Sequence, residues 1–411
     1  MDLIRLEHKK LWRKTSVKIS VLLCFLYIAV VGCFLCYQWF TFGSSNSYSY
    51  SGSFGNNFDG YSMIKESLEY SRTFDGRLTD ETLQEMVRSY QEIHPAAAAG
   101  DREASRKEDQ TDQYIIGAWL SQLYPELEDA SLYQTMITYV DPQKLTGFYE
   151  RRTQAIEDFL RINNQTGAER DYLMQMEQKV EKPFSYEYVE GWSTLLGSMA
   201  AELGTVLALF VAIILSPMFS GEWRDNTSPL LLTTKNGWKK IARAKIIVGL
   251  LFSVELFVLL VGSMLICQSI YLGWSGWDMP IQIIKLIAVA PMNMLQAELF
   301  EYGFTFLGMI GFTGVVLLIS AAVKNNVFAL LLSLAAVYGP MMIVQYLPFS
   351  LQKALDLLPL VGSPTDIFRT NTFCLFGKYI WSPYLLITVP VLIGILCIPF
   401  TVKKWAGQMK K

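Results

Sequence analysis

Residues 246–272 read IIVGLLFSVELFVLLVGSMLICQSIYL, a run with one charge, Glu255. An α-helix rises about 1.5 Å per residue and the hydrocarbon core of a bilayer is about 30 Å thick, so roughly 20 apolar residues cross it. This run is long enough to span. Five more stretches share its character. Residues 19–40, 302–323, 327–347 and 381–402 carry no charge, and 192–219 carries only Glu202. The chain as a whole is 52% hydrophobic and 18% charged, whereas soluble domains are about a quarter charged. The expected fold is an all-α polytopic membrane protein with six transmembrane helices.

Charge sets the orientation. Arg5, Lys9, Lys10, Arg13, Lys14 and Lys18 precede the first span, and Arg224, Lys235, Lys239, Lys240, Arg243 and Lys245 lie between the second and third. Lys324 follows the fourth, and Lys403, Lys404, Lys410 and Lys411 end the chain. Six spans bring all four groups to one side, and basic residues near span ends favour the cytoplasm. Both termini are therefore expected inside the cell.

The expected divisions are a cytoplasmic amphipathic segment at 1–18, the first span at 19–40 and an extracytoplasmic linker with a mostly helical domain at 41–191. The second span at 192–219 leads to a cytoplasmic connection at 220–245. Spans three to six occupy 246–402, with an interfacial helix at 280–300, and 403–411 is a cytoplasmic tail. The 41–191 region holds 26 acidic and 14 basic residues, but long loops cross membranes largely regardless of charge, so this acidity does not fix its side. Thr79 or Asp80 reads as the N-cap of a helix presenting Leu83, Met86, Val87 and Tyr90, ended by His94-Pro95. A long helix is expected after Asp141-Pro142.

No chemistry announces itself. There is no Gly-x-x-x-x-Gly-Lys-Ser/Thr loop for phosphates, no Gly-x-Ser-x-Gly elbow and no His-Glu-x-x-His. His8 and His94 are the only histidines, too few for an imidazole metal site. Cys33 and Cys36 lie inside an apolar run, where a thiol is a small buried hydrophobe. The chain is read as a non-enzyme with no cofactor, no metal and no nucleic acid of its own. Four carboxylates sit in or beside spans, where a charge needs a reason. Glu255 and Glu202 could line a polar path. Glu298 and Glu301 fit interhelical struts or groups reaching an interface.

Residues 216–245 carry Ser-Pro-Met-Phe-Ser-Gly-Glu-Trp-Arg-Asp-Asn-Thr, then Leu230-Leu231-Leu232-Thr233-Thr234-Lys235, then Trp238-Lys239-Lys240-Ile241 and Lys245. This connection resembles the loop after the second span in permeases of the type-2 ATP-binding-cassette (ABC) exporter family. Glu222, Thr227, Leu231, Leu232, Thr233, Lys239 and Lys245 occupy the matching places; Asn226 replaces the usual glycine and Pro229 is unusual. Leu6-Glu7-His8-Lys9-Lys10-Leu11-Trp12-Arg13 is similar to the family's amphipathic N-terminal helix. The resemblance implies a coupling segment at 220–245 docked on a separate cytoplasmic ABC ATPase, which binds the ATP. Glu222, Arg224, Thr227, Leu230, Leu231, Leu232 and Thr233 would make that contact. It implies a homodimer or a heterodimer with a similar permease, surrounded by lipid in a bacterial plasma membrane, exporting an unidentified substrate. The alternative is a non-transporting scaffold or sensor whose extracytoplasmic domain binds a partner.

Overall fold

A computed structural model describes residues 2–42, 69, 72–109, 111–127, 137–187, 189, 192, 196, 200–225, 237–271 and 273–409. The chain is mostly helical. Helices α1 (Asp2–Arg13) and α2 (Thr15–Phe42) come first. A helical domain follows, with α3 (Asp80–Ala98), α4 (Arg102–Asp109), α5 (Gln113–Leu123), α6 (Phe148–Ile162) and α7 (Ala168–Glu177). Strands β1 (Gly76–Arg77) and β2 (Ser185–Tyr186) pair antiparallel where the chain enters and leaves this domain. Then come α8 (Ala200–Leu215), α9 (Pro217–Arg224), α10 (Gly237–Tyr271), α11 (Met294–Ala322), α12 (Asn326–Ile343) and α13 (Phe349–Asp356). An antiparallel hairpin, β3 (Thr372–Leu375) and β4 (Lys378–Trp381), precedes α14 (Ser382–Met409).

Five helical segments are long and apolar enough to cross a membrane: Glu202–Arg224, Trp238–Ile266, Met294–Ala322, Asn326–Tyr346 and Ser382–Gly407. The first expected span, 19–40, falls within α2, of which Thr15–Tyr27 counts as a shorter apolar helix. Val327, Phe328, Leu331 and Leu332 of α12 and Leu392, Ile395, Leu396 and Phe400 of α14 are exposed large apolar side chains. Such faces are compatible with a multi-pass membrane protein whose lipid covers them.

The interfacial helix expected over 280–300 does not form. Residues Ile281–Ile283 make one 3₁₀ turn, and α11 starts at Met294. Two features explain the boundary. Pro291 has no amide hydrogen to donate within a helix. Asn293 then opens a capping box, accepting from the Gln296 amide while the Gln296 side chain accepts from the Asn293 amide. The helix expected as the fourth span thus starts eight residues earlier than expected. The tail is not separate either, since α14 continues through Met409. In the helical domain, Thr79 is the N-cap of α3 and Leu83, Met86, Val87 and Tyr90 are buried as expected. That helix runs past Pro95 through three alanines, strong helix formers, to Ala98. After Asp141-Pro142 only a 3₁₀ turn forms, because Gly147 turns left-handed (φ 72°) before α6.

The helices have two distinct ends. The strap between α10 and α11, the turn between α12 and α14 and the helical domain meet at one. Ile281, Ile283, Leu286, Ile367 and Trp381 share a core with Trp119, Phe148 and Phe184 of that domain. At the other end, α1, α9, the start of α10 and the end of α14 converge: Leu11, Phe219, Ala242 and Trp405 belong to a second core. The basic groups around Lys10, Lys245 and Lys324 gather at this second end.

Candidate functional site

The second end contains a buried charged junction. Pro217 at the first position of α9 suits a helix start, where its missing amide hydrogen costs nothing. Ser320 of α11 closes that start. Its hydroxyl accepts from the amides of Phe219 (2.9 Å) and Ser220 (3.3 Å) and donates to the Ser216 carbonyl (2.6 Å). The following turn of α9 is buried, including Glu222. Glu222 Oε1 accepts from Lys245 Nζ of α10 (2.7 Å) and from Lys10 Nζ of α1 (2.7 Å). Lys245 is 2% exposed and also donates to Glu7 Oε2 (3.1 Å) and the Met218 carbonyl (3.1 Å). Two carboxylates and two ammoniums thus bind α1, α9 and α10 together. Buried charges persist only when paired in this way.

Local electrostatics follow from that packing. Burial works against the Lys10 ammonium, yet the Glu222 hydrogen bond and charge, with Glu7 and Asp225, hold its pKa above the ordinary lysine value. Lys14 goes the other way, lowered by burial and by the charges of Lys245 and Lys10. Arg224 is exposed and donates to Asp225 (2.9 Å), keeping the Asp225 carboxyl below its usual range. One layer deeper, Glu255 of α10 meets α1 again. Its carboxylate lies 2.9 Å from His8 Nε2 and accepts from Trp12 Nε1 at 3.2 Å. Trp405 of α14 packs edge-on against Phe219 and Trp223, and Lys324 stacks on Trp223 at 4.5 Å.

A second junction sits at the opposite end of α11. Arg152 of α6 is fully buried and pairs with Glu177 of α7. The same guanidinium donates to the carbonyls of Leu286 (2.7 Å) and Ala288 (3.1 Å) in the strap that leads into α11. Trp119 Nε1 donates to the Ile283 carbonyl (2.9 Å), and Gln282 Nε2 donates to the carbonyls of Ala288 and Ala290. The strap is thus held by side chains that answer its backbone carbonyls. One rigid helix, roughly 44 Å long at 1.5 Å per residue, joins this grip to the Ser320 contact on α9.

The sequence-derived residues fall in different places. Glu222 lies in the junction and spends its oxygen on Lys10 and Lys245 of its own chain. Arg224 faces outward. Thr227, Leu230, Leu231, Leu232 and Thr233 lie outside the described residues. Glu255 is joined to α1, and Glu202 is exposed in the first turn of α8. Glu298 and Glu301 are buried along α11. In the sequence, Glu7, His8 and Lys10 stand out only as parts of a basic amphipathic segment. Their signal was spacing: Glu7, Lys10 and Lys14 recur at i, i+3 and i+7, one helix face. Among the described residues no group of three His, Cys, Asp or Glu side chains is placed to hold a metal ion. The arrangement fastens α1, α9 and α10 to one another and α9 to α11. Compared with known protein families, with characterised proteins and with solved structures, this chain matches none of them.

Proposed function

We propose that this chain is the permease subunit of an ABC transporter, of exporter type, driven by a separate ATPase that docks on residues 220–245. The reading carries six spans, with α2 as the first, both termini in the cytoplasm of a bacterial cell, and the helical domain outside. A second permease copy or a similar permease completes the pathway, and the ATPase supplies the nucleotide site.

The observation that carries this reading is the pairing of the two junctions through α11. Residues 226–236 leave α9 and return at α10, and Glu222 and Lys245 clasp those two helices together. A push on the intervening segment reaches α9, α10 and α1 as one unit. Ser320 passes it to α11, whose other end is the strap gripped by Arg152. ATP-driven closure of a docked motor would thereby move the outer domain and open the path.

The test is co-purification. A P-loop ATPase encoded beside this gene is expected to purify with the chain and to separate from it when Leu230, Leu231 and Leu232 become Ser. Retention after that change would overturn the docking role. The Arg152 grip on the strap also suits a sensor, because a ligand on the helical domain would reach α11 by the same route. A chain that purifies with no ATPase, and whose α11 moves when an outer partner binds, would favour that second reading.

A further inference from the structure

Between α8, α11, α12 and residues 360–364 lies an open-sided cavity of about 140 Å³, lined by Gly204, Thr205, Thr305, Met341, Leu360 and Ser363 among others. It lies away from both junctions. Thr305 sets it apart. Its side chain is 1% exposed, and its hydroxyl has no hydrogen-bond partner among the described residues. Four other hydroxyls on the long helices bond back to the carbonyl four residues earlier: Ser253 of α10 to Gly249, Thr313 of α11 to Met309, Ser333 of α12 to Ala329 and Thr401 of α14 to Cys397. Thr305 makes no such bond. A buried hydroxyl left in this way is costly unless a ligand answers it.

No charged side chain is among the described residues that line the cavity, so the helices around it give the ligand's sign. Helices α8, α11 and α12 contain Glu202, Glu298 and Glu301 and not one Lys or Arg. Glu202 lies one turn before Thr205, and Glu301 one turn before Thr305. The cations on either side of the lining loop are Lys353 and Arg369; both act on Asp366, and Arg369 also acts on Asp356, two further carboxyls of this region. Phe304, Met341, Leu360 and Val361 supply an apolar body. The volume suits a ligand of a few heavy atoms, since an apolar cavity of about 150 Å³ holds one benzene.

We propose that this cavity binds the ammonium group of a small organic amine, its N–H donating to Thr305 Oγ1 in the field of Glu202 and Glu301, its carbon chain against Leu360 and Met341. As a statement about transported cargo this rests on the permease reading. As a binding site it does not, and the test needs no ATPase.

The full-length chain, purified into lipid nanodiscs, is titrated with butylammonium, 1-butanol and butyrate while its melting temperature is followed. Butylammonium alone is expected to give a saturable rise. Thr305→Val, which keeps the shape and removes the hydroxyl, should weaken that response about tenfold, the loss of one hydrogen bond to a charged group. Its ligand-free melting temperature should be unchanged or higher. Gly204→Ala is the second variant: an added Cβ would meet only Leu360 Cδ2 at 3.8 Å and Thr305 Cγ2 at 3.9 Å, so it narrows the cavity without collision. It should weaken the response as well. An equal response to butanol, a response that both variants leave intact, or no saturable response to any probe, as for a water-filled cavity, would overturn the proposal. That outcome would leave ATPase co-purification untouched, so the two readings fail separately.

Discussion

Lys245 shows how much one side chain can hold. It is buried, and three oxygens from α1 and α9 surround its ammonium. Lys245→Met would strand Glu222 in the junction with Lys10 as its remaining cation. Breaking a buried pair in this way costs about 3–5 kcal/mol. Unfolding of the purified protein in detergent by denaturant measures it, and adding Glu222→Gln to Lys245→Met should recover most of the loss. If the single variant proved as stable as the parent, the junction would not be a structural clasp. A different residue sets a pH response. Burial, with the neighbouring Asp366 charge, pushes the Asp356 carboxyl up to about 6 from an ordinary 3.8, and burial raises Asp366 too. The folded chain therefore keeps protons that the unfolded chain has released, so stability is greatest below the unfolded value and falls as pH rises from about 4 to about 6. Asp356→Asn should flatten that fall and raise the melting temperature at pH 7, read from melting curves at pH 4, 5, 6 and 7 against the parent.

Among elements, the closest approach is between α11 and α14. Gly311 and Gly314 of α11 face α14, and small residues at such an interface let helix backbones approach closely in membranes. A Cβ on Gly311 would sit 2.3 Å from the Pro390 carbonyl oxygen, and one on Gly314 would sit 2.7 Å from that of Gly394. Both obstacles are backbone, so neither can swing away. Gly311→Ala should therefore lower the melting temperature and broaden the gel-filtration peak, whereas Gly303→Ala on the same helix, where a Cβ meets nothing within 4 Å, should do neither. Elements were legible where one physical rule dominated. Apolar length alone marked the spans at 246–272, 327–347 and 381–402, and the 3.6-residue period marked the buried face of α3. The reading failed where a local signal competed with hydropathy. The run 280–300 is apolar enough to suggest a helix lying at an interface, yet the Asn293–Gln296 capping box starts α11 inside it. The carbonyls of the preceding residues are answered by Arg152 and Trp119, more than 130 residues earlier in the chain, and no window of sequence shows such a partner.

At the scale of the molecule, the helix ends differ in chemistry. The sequence reading obtained one basic side by counting; the structure gathers Lys10, Lys245 and Lys324 at the α9 end and the helical domain, strap and β3–β4 hairpin at the other. What counting could not supply was the hairpin's attachment. Gln165 Nε2 donates to the Thr370 carbonyl at 2.6 Å, Thr370 Oγ1 donates back to Gln165 Oε1 at 2.7 Å, and Thr372 Oγ1 of β3 donates to Glu169, so the hairpin is fastened to the helical domain. Cys374, exposed on β3, is therefore a native reporter of the side on which that domain lies. Lys240, exposed near the start of α10, reports the opposite end. If basic span ends remain in the cytoplasm, a membrane-impermeant maleimide added to intact cells should label the parent chain, and Cys374→Ser should abolish the signal. Lys240→Cys in that Cys374→Ser background should label only after the cells are permeabilised. The reverse pattern would place residues 226–236 outside the cell, beyond reach of any ATP-driven motor, and would leave the outer-partner reading as the one the two junctions still serve.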